Sequence, residues 1–125
     1  MRLIIGISGA SGVIMGYELL QALRKFPTVE THLVVTEGAA LNFRYEADLS
    51  VADVAAMADV VHDNRNLAAS ISSGSFQIDG MIVVPCSMKT LAGIASGFAE
   101  NLLLRAADVC LQEGRKVVLV PGDMQ

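Results

Sequence analysis

Met1-Arg2-Leu3-Ile4-Ile5-Gly6-Ile7-Ser8-Gly9-Ala10-Ser11-Gly12 is the stretch on which the fold turns. A continuous apolar run begins almost at the terminus and leads into Gly-x-x-Gly-x-x-Gly with serines in the gaps. This reads as a buried strand feeding a tight turn into a helix. The glycines let backbone approach a ligand closely, the hydroxyls and N–H groups are donors, and the following helix aims its positive end at an anion. The spacing is not that of the dinucleotide fingerprint Gly-x-Gly-x-x-Gly, and no Walker Lys-Ser/Thr follows. By itself the pattern fits both a phosphate cradle and an ordinary strand-to-helix turn.

The rest of the chain supplies the sheet that such a strand needs. The 125 residues are 53% hydrophobic but only 5% aromatic, with no Trp, so the apolar mass is mainly Ala, Val, Leu and Ile. Small branched side chains of this kind suit a parallel sheet between helices, and the length suits one domain, residues 1–125. The mean hydropathy of +0.51 exceeds what a core alone requires and points to surface covered by partner subunits. A net charge of -4 without a basic stripe argues against nucleic acid. Charges at Arg2, Glu18 and Arg24 break every run before the roughly 18 residues a membrane span needs, so a cytoplasmic protein is expected. Cys86 and Cys110 lack Cys-x-x-Cys or Cys/His spacing, which suggests neither a disulfide framework nor a metal site.

Taken in order, Val13–Lys25 has helical periodicity ended by Pro27, and Val29–Thr36 reads as a second strand, implying a right-handed parallel crossover. Glu37–Tyr45 is predicted helical. Ser50 and Asp53 form a capping-box pair ahead of a short helix. Val60-Val61-His62 is a candidate short strand, and Ser70–Ser75 a loop or loose turn. Met81–Val84 is the clearest buried strand, expected to stop at Pro85. Ser87 then caps a helix to about Ala95, Asn101–Glu113 forms a long helix closed by Gly114, and Val117–Val120 is the last strand. Four strong strands interleaved with helices give a three-layer doubly wound α/β parallel sheet. Ligands of such sheets bind at the carboxyl ends of the strands. The tips there are Ser8–Gly12, Thr36-Glu37, Pro85-Cys86-Ser87 and Pro121-Gly122-Asp123, which together make an anion site by geometry.

At these tips the chain resembles the UbiX-type flavin prenyltransferases, also known as phenylacrylic acid decarboxylase and the small subunit of hydroxybenzoate decarboxylase. The motifs are Gly6–Gly12, Ser73-Gly74-Ser75-Phe76, Pro85-Cys86-Ser87-Met88-Lys89-Thr90-Leu91-Ala92-Gly93-Ile94, and Asn101-Leu102 with Arg105-Ala106-Ala107-Asp108-Val109. The resemblance implies a flavodoxin-like Rossmann fold in a dodecamer that binds FMN at subunit interfaces. It implies transfer of a dimethylallyl group from dimethylallyl phosphate to N5 and C6 of the flavin, the prenylated FMN then serving a partner decarboxylase. It places Gly9, Ala10 and Ser11 around the flavin, with the Ser11 hydroxyl near N5, and Thr36 on the FMN phosphate. Ser87, Met88 and Thr90 match the start of the flavin-binding helix, Arg105 a flavin or phosphate arginine, and Glu46 the acid near the prenyl substrate. No metal is called for.

The chain also departs from that pattern. Gln112 stands where the family has a phosphate-binding lysine, and Gly122-Asp123 where it has an arginine for the substrate phosphate and a glutamate for proton transfer. The family continues beyond the position of Gln125 through a stretch carrying a tyrosine and another arginine of the prenyl-phosphate site. A non-catalytic or fragmentary FMN-binding subunit of an aromatic acid decarboxylase system is therefore the alternative expectation. A flavin-dependent decarboxylase of peptidyl cysteine or phosphopantothenoylcysteine lacks its Asn and His signatures here. A dehydrogenase lacks the ribose-binding acid at the end of the second strand.

Overall fold

Arg2–Ile7 forms β1, buried from Ile4 onward, in a computed structural model that describes residues 1–122. It lies in the middle of the sheet. With β2 (Glu30–Val35), β3 (Val60–His62), β4 (Gly80–Cys86) and β5 (Lys116–Pro121), the order across the sheet is β3-β2-β1-β4-β5. Every pairing is parallel. Without the short edge strand β3 the order is the flavodoxin-like one, and with it the order is that of a Rossmann sheet. The order reverses between β1 and β4. That is where a doubly wound sheet opens a crevice at its carboxyl edge.

Alternation along β1 explains the layers. Ile5 and Ile7 face one side and Ile4 the other, as strand geometry requires. On the first side lie α1 (Ile14–Leu23), α2 (Glu37–Ala47) and α3 (Val51–Ala55), which bury Leu20, Phe43 and Val54 against Ile5, Ile7, Leu33 and Val84. Burying a side chain such as Phe43 contributes about 1.5–3 kcal/mol. On the other side α4 (Met88–Ser96), α5 (Leu102–Gln112) and a 3-10 turn at Ser70–Ser72 cover Ile4, Val34, Met81 and Val83. A Cβ on Gly16 would come within 2.6 Å of both the Ile7 side chain and the Val84 carbonyl oxygen. Only glycine lets α1 lie this tightly over the β1–β4 seam.

Pro85 does not end its strand, contrary to the sequence expectation. It lies inside β4, whose register with β5 shifts between Val83 and Cys86. Proline is tolerated in a sheet at such an irregularity. The β1–β4 ladder runs only as far as Gly6 opposite Val83, and Ser8 takes over beyond it.

Two histidines meet at the β2–β3 edge. His32 Nδ1 is 2.9 Å from His62 Nε2, and His32 Nε2 is 2.6 Å from Glu30 Oε1. Arg2 bonds the same Glu30 oxygen and covers the Phe76 ring at 4.5 Å, while Phe76 stands edge-on to His32. The group is a structural polar seam. The motif Ser73–Phe76 thus lies away from the glycine turn, with the Gly74 carbonyl accepting from Arg115 at 2.7 Å. Among the described residues, no helix is long and apolar enough to cross a membrane, and no cluster of three His, Cys, Asp or Glu could hold a metal.

Candidate functional site

The carboxyl edge of the sheet gathers the sequence-predicted tips. After β1 the chain turns sharply: Ala10 N–H donates to Ser8 O at 3.0 Å, and Gly12 takes φ +94, a conformation glycine adopts freely. Two side chains from α2 brace this turn. Asn42 Nδ2 donates to Ala10 O at 3.2 Å, and Glu46 Oε2 accepts from Gly12 N–H at 3.2 Å. Gly9 packs against the start of α2, since a Cβ on it would come within 3.0 Å of the Gly38 backbone. Gly9 and Ser11 are exposed, so the turn offers backbone and hydroxyl to a ligand.

Two capped helix N-termini flank the turn. Thr36 Oγ1 accepts from Ala39 N–H at 3.1 Å at the start of α2, and Ser87 Oγ accepts from Thr90 N–H at 3.1 Å at the start of α4. Each cap satisfies one of the donors that a helix start leaves open. Among the described residues, nothing engages the N–H groups of Glu37, Gly38, Met88 or Lys89. Helix N-termini of this kind carry partial positive charge and hold phosphate or carboxylate. Thr90 is buried and serves Ser87: the Ser87 hydroxyl donates to Thr90 Oγ1 at 3.0 Å. Met88 is 51% exposed and stands open at the rim.

The predicted residues do not all converge. Gly9, Ala10, Ser11, Thr36 and Glu46 form one group through the contacts above, and Ser87, Met88 and Thr90 join it across the β1–β4 seam. Arg105 lies one turn into α5, exposed, at the same end of the sheet, and makes no hydrogen bond or ion pair to the Gly9–Gly12 turn among the described residues. Gln112 is the last residue of α5, at the opposite end of the sheet, where Nε2 donates to Asp108 Oδ2 at 2.8 Å. Asp123 lies outside the described residues. Gly122 is in the site: its N–H donates to Cys86 O at 3.2 Å, and a Cβ on it would run into Ala10 Cβ and lie 3.1 Å from Ser11 O.

Sequence reasoning passed over three contributors. Ser8, fully buried, ties β1 to β4. Asn42 and Gly38 shape the α2 side of the turn, and Gly38 carried a signal, a glycine two residues past the end of a strand. Burial raises the Cys86 thiol above its ordinary value and so disfavours the reactive thiolate. A groove of about 430 Å³ runs beside the rim along α2, lined by Glu37, Ala40, Leu41, Arg44 and Val51.

Comparison with known proteins places this geometry in context. A protein-family model described as Flavoprotein matches residues 1–125. The chain is 69% identical over 124 residues to a probable UbiX-like flavin prenyltransferase of Sedimentibacter hydroxybenzoicus, covering 99% of this chain and 66% of that protein. It is 56% identical over 118 residues to the flavin prenyltransferase UbiX of Escherichia coli K12, covering 94% and 62%. Among solved structures, a dodecameric FMN-dependent UbiX-like decarboxylase from Escherichia coli O157:H7 superposes with a TM-score of 0.97 at 58% identity, over 99% of this chain and 67% of that one. AnUbiX in complex with FMN and dimethylallyl pyrophosphate superposes with a TM-score of 0.92 at 51% identity, over 94% and 62%. The chain spans just under two thirds of the length of the curated relatives it matches, 66% and 62% for these two.

Proposed function

The chain belongs to the Flavoprotein family, and from that premise we propose that it binds FMN and acts as a flavin prenyltransferase, moving a dimethylallyl group from dimethylallyl phosphate to reduced FMN. The observation that carries this reading is the convergence of the exposed Gly9–Gly12 turn with the open N–H donors of α2 and α4 at the β1–β4 switch point. A phosphorylated flavin fits such a rim: the dianion suits two helix N-termini, and the flat ring suits a backbone turn free of bulky side chains. Reduced FMN supplies an electron-rich acceptor for the allylic carbon.

The chain's own groups do the positioning. Thr36 and the N–H groups of Glu37 and Gly38 hold the phosphate, and Ser11 presents its hydroxyl to the ring edge. Glu46 fixes the turn through Gly12 N–H and keeps a carboxylate beside the prenyl substrate. Ser87 and Thr90 fix the first turn of α4, and Met88 offers an apolar side chain to the ring. Arg105, exposed at the same end, serves a phosphate across a subunit boundary. Held donors of this kind favour departure of a phosphate leaving group without reorganisation. Asp123, next in sequence after Gly122, is the candidate catalytic acid. Self-association into a homo-oligomer of the dodecamer type accords with Leu41 (56% exposed) and Tyr45 (85% exposed) on α2. The product is prenylated FMN for an aromatic acid decarboxylase, and the cytoplasm is the location that such a supply implies.

One observation favours a second reading, an FMN-binding subunit without transferase activity. Gly122 packs so closely on Ala10 and Ser11 that the arginine of the related pattern has no room in this arrangement. The test separates the two. The purified protein is loaded with FMN, reduced anaerobically and incubated with dimethylallyl phosphate, and the flavin is weighed by mass spectrometry. A gain of one dimethylallyl unit is expected. Bound flavin of unchanged mass rejects catalysis and leaves the second reading, and no flavin bound at all rejects both.

A further inference from the structure

Ser8 is one of the few polar side chains buried completely, and it is placed where the sheet cannot hold itself together. Beyond Gly6 and Val83 the β1–β4 ladder meets Pro85, which has no N–H to give. Ser8 substitutes for the missing pairing. Its N–H donates to Pro85 O at 3.2 Å, its hydroxyl donates to the same oxygen at 3.0 Å, and the hydroxyl oxygen accepts from Ser87 N–H at 2.8 Å. Ser87 is the N-cap of α4, and its own hydroxyl is spent on Thr90. On the other side, Ser8 O accepts from Ala10 N–H and closes the glycine turn. One residue therefore sets both walls of the rim.

We propose that Ser8 is the positioning residue of this site, fixing the separation between the Gly9–Gly12 turn and the N-terminus of α4, and that flavin affinity depends on it although it touches no ligand. The inference rests on the FMN-binding reading above. In Ser8→Ala the Ser87 N–H loses its acceptor and Pro85 O loses one of two donors. The first turn of α4 is then tethered by side chain only at Thr90. A change confined to folding would lower stability and leave affinity alone, because a folded fraction binds as before. A change in spacing alters the affinity of the folded protein itself.

The experiment compares wild type, Ser8→Ala, Ser8→Thr, which keeps the hydroxyl, and Val54→Ala, a core truncation on α3 remote from the rim. Each is titrated with FMN, and amide hydrogen exchange is followed in flavin-free protein. If the whole worth of one such bond went into holding the binding-competent spacing, its loss would weaken binding by about tenfold, which is the upper bound. Ser8→Ala is expected to bind FMN more weakly, by up to about tenfold, and to exchange faster at Ser87 and Thr90, the two amides that this chain of hydroxyls holds. Ser8→Thr should recover most of both effects, and Val54→Ala should lose stability while keeping wild-type affinity. If Ser8→Ala does not fold, Ser8→Cys, with a weaker donor and acceptor, takes its place with a smaller shift in the same direction. Wild-type FMN affinity in Ser8→Ala overturns the proposal, whatever its exchange rates. Failure of wild type itself to bind FMN overturns the flavin reading and this inference with it.

Discussion

Asn64 should be worth more to this protein than an exposed turn suggests. It lies two residues past β3, yet its side-chain Oδ1 accepts from Leu103 N–H at 2.9 Å and its carbonyl from Leu102 N–H at 2.8 Å. Asn101 Oδ1 takes Leu104 N–H at 2.9 Å, so the first three donors of α5 are satisfied, two of them by Asn64 alone. Asn64→Ala removes the bond to Leu103, a residue with no exposure, and water has poor access to the orphaned donor. Losing a cap costs about 1 kcal/mol and stranding a buried donor about 1–3 kcal/mol, so about 1.5 kcal/mol is expected. For a domain of this size that lowers Tm by about 5 °C. Urea unfolding followed by circular dichroism should show a reduced midpoint at unchanged slope. Asn64→Asp keeps an acceptor and adds negative charge at a helix N-terminus, and should match or exceed wild type. The reasoning is refuted if Asn64→Ala stays within about 0.5 kcal/mol of wild type, or if Asn64→Asp is as damaging.

Acidification should destabilise the protein through His62. Burial first, and the neighbouring His32 second, hold His62 below its ordinary 6.5, so the unfolded chain binds the proton more readily and the stability present above 6.5 falls as pH drops below it. His62→Asn should flatten the stability profile between about pH 7.5 and 5.5, a window above the range in which Glu30, lowered by its bonds to His32 and Arg2, gives up its own contribution. An unchanged slope in His62→Asn would assign the effect elsewhere. Gly9→Ala should push the glycine turn off the α2 N-terminus, because the added carbon lies 3.0 Å from backbone that cannot swing away. A loss of about 1–3 kcal/mol in stability and a weakening of FMN binding by about tenfold or more are expected, and calorimetric titration with wild-type affinity would contradict the close approach.

What the sequence made legible was local. The capping box of Ser50 and Asp53 forms as its spacing implied, with both reciprocal bonds present, because capping needs only residues three apart. The cap at Ser87 follows the same logic, and so does the parallel core of apolar strands, while Thr36 and Asn101 cap their helices without having been singled out for it. Readings failed where a distant residue decided the outcome. Pro85 reads as a strand end because its missing N–H breaks a ladder, and Ser8, 77 residues earlier, bridges the break. His32 and His62 looked like unrelated residues until the parallel register set His62 opposite Val34, on the same face as His32.

The central place of β1 also bears on how the chain assembles. Its partner across β2 arrives early, since Arg2 and Glu30 are 28 residues apart, but the contact of Ser8 with Pro85 spans 77. Closing the longer loop costs about 0.9 kcal/mol more in chain entropy, a small thermodynamic difference. The difference in timing is larger. On a ribosome, β1, α1 and β2 are complete well before Gly80–Cys86 exists, and in that interval Ile4 to Ile7 presents an unpaired apolar edge. Open edges of this kind recruit other chains. Although β1 is made before its neighbours β2 and β4, it is thus enclosed only when β4 arrives, and slowing synthesis between β2 and β4 should raise the aggregated fraction of newly made protein.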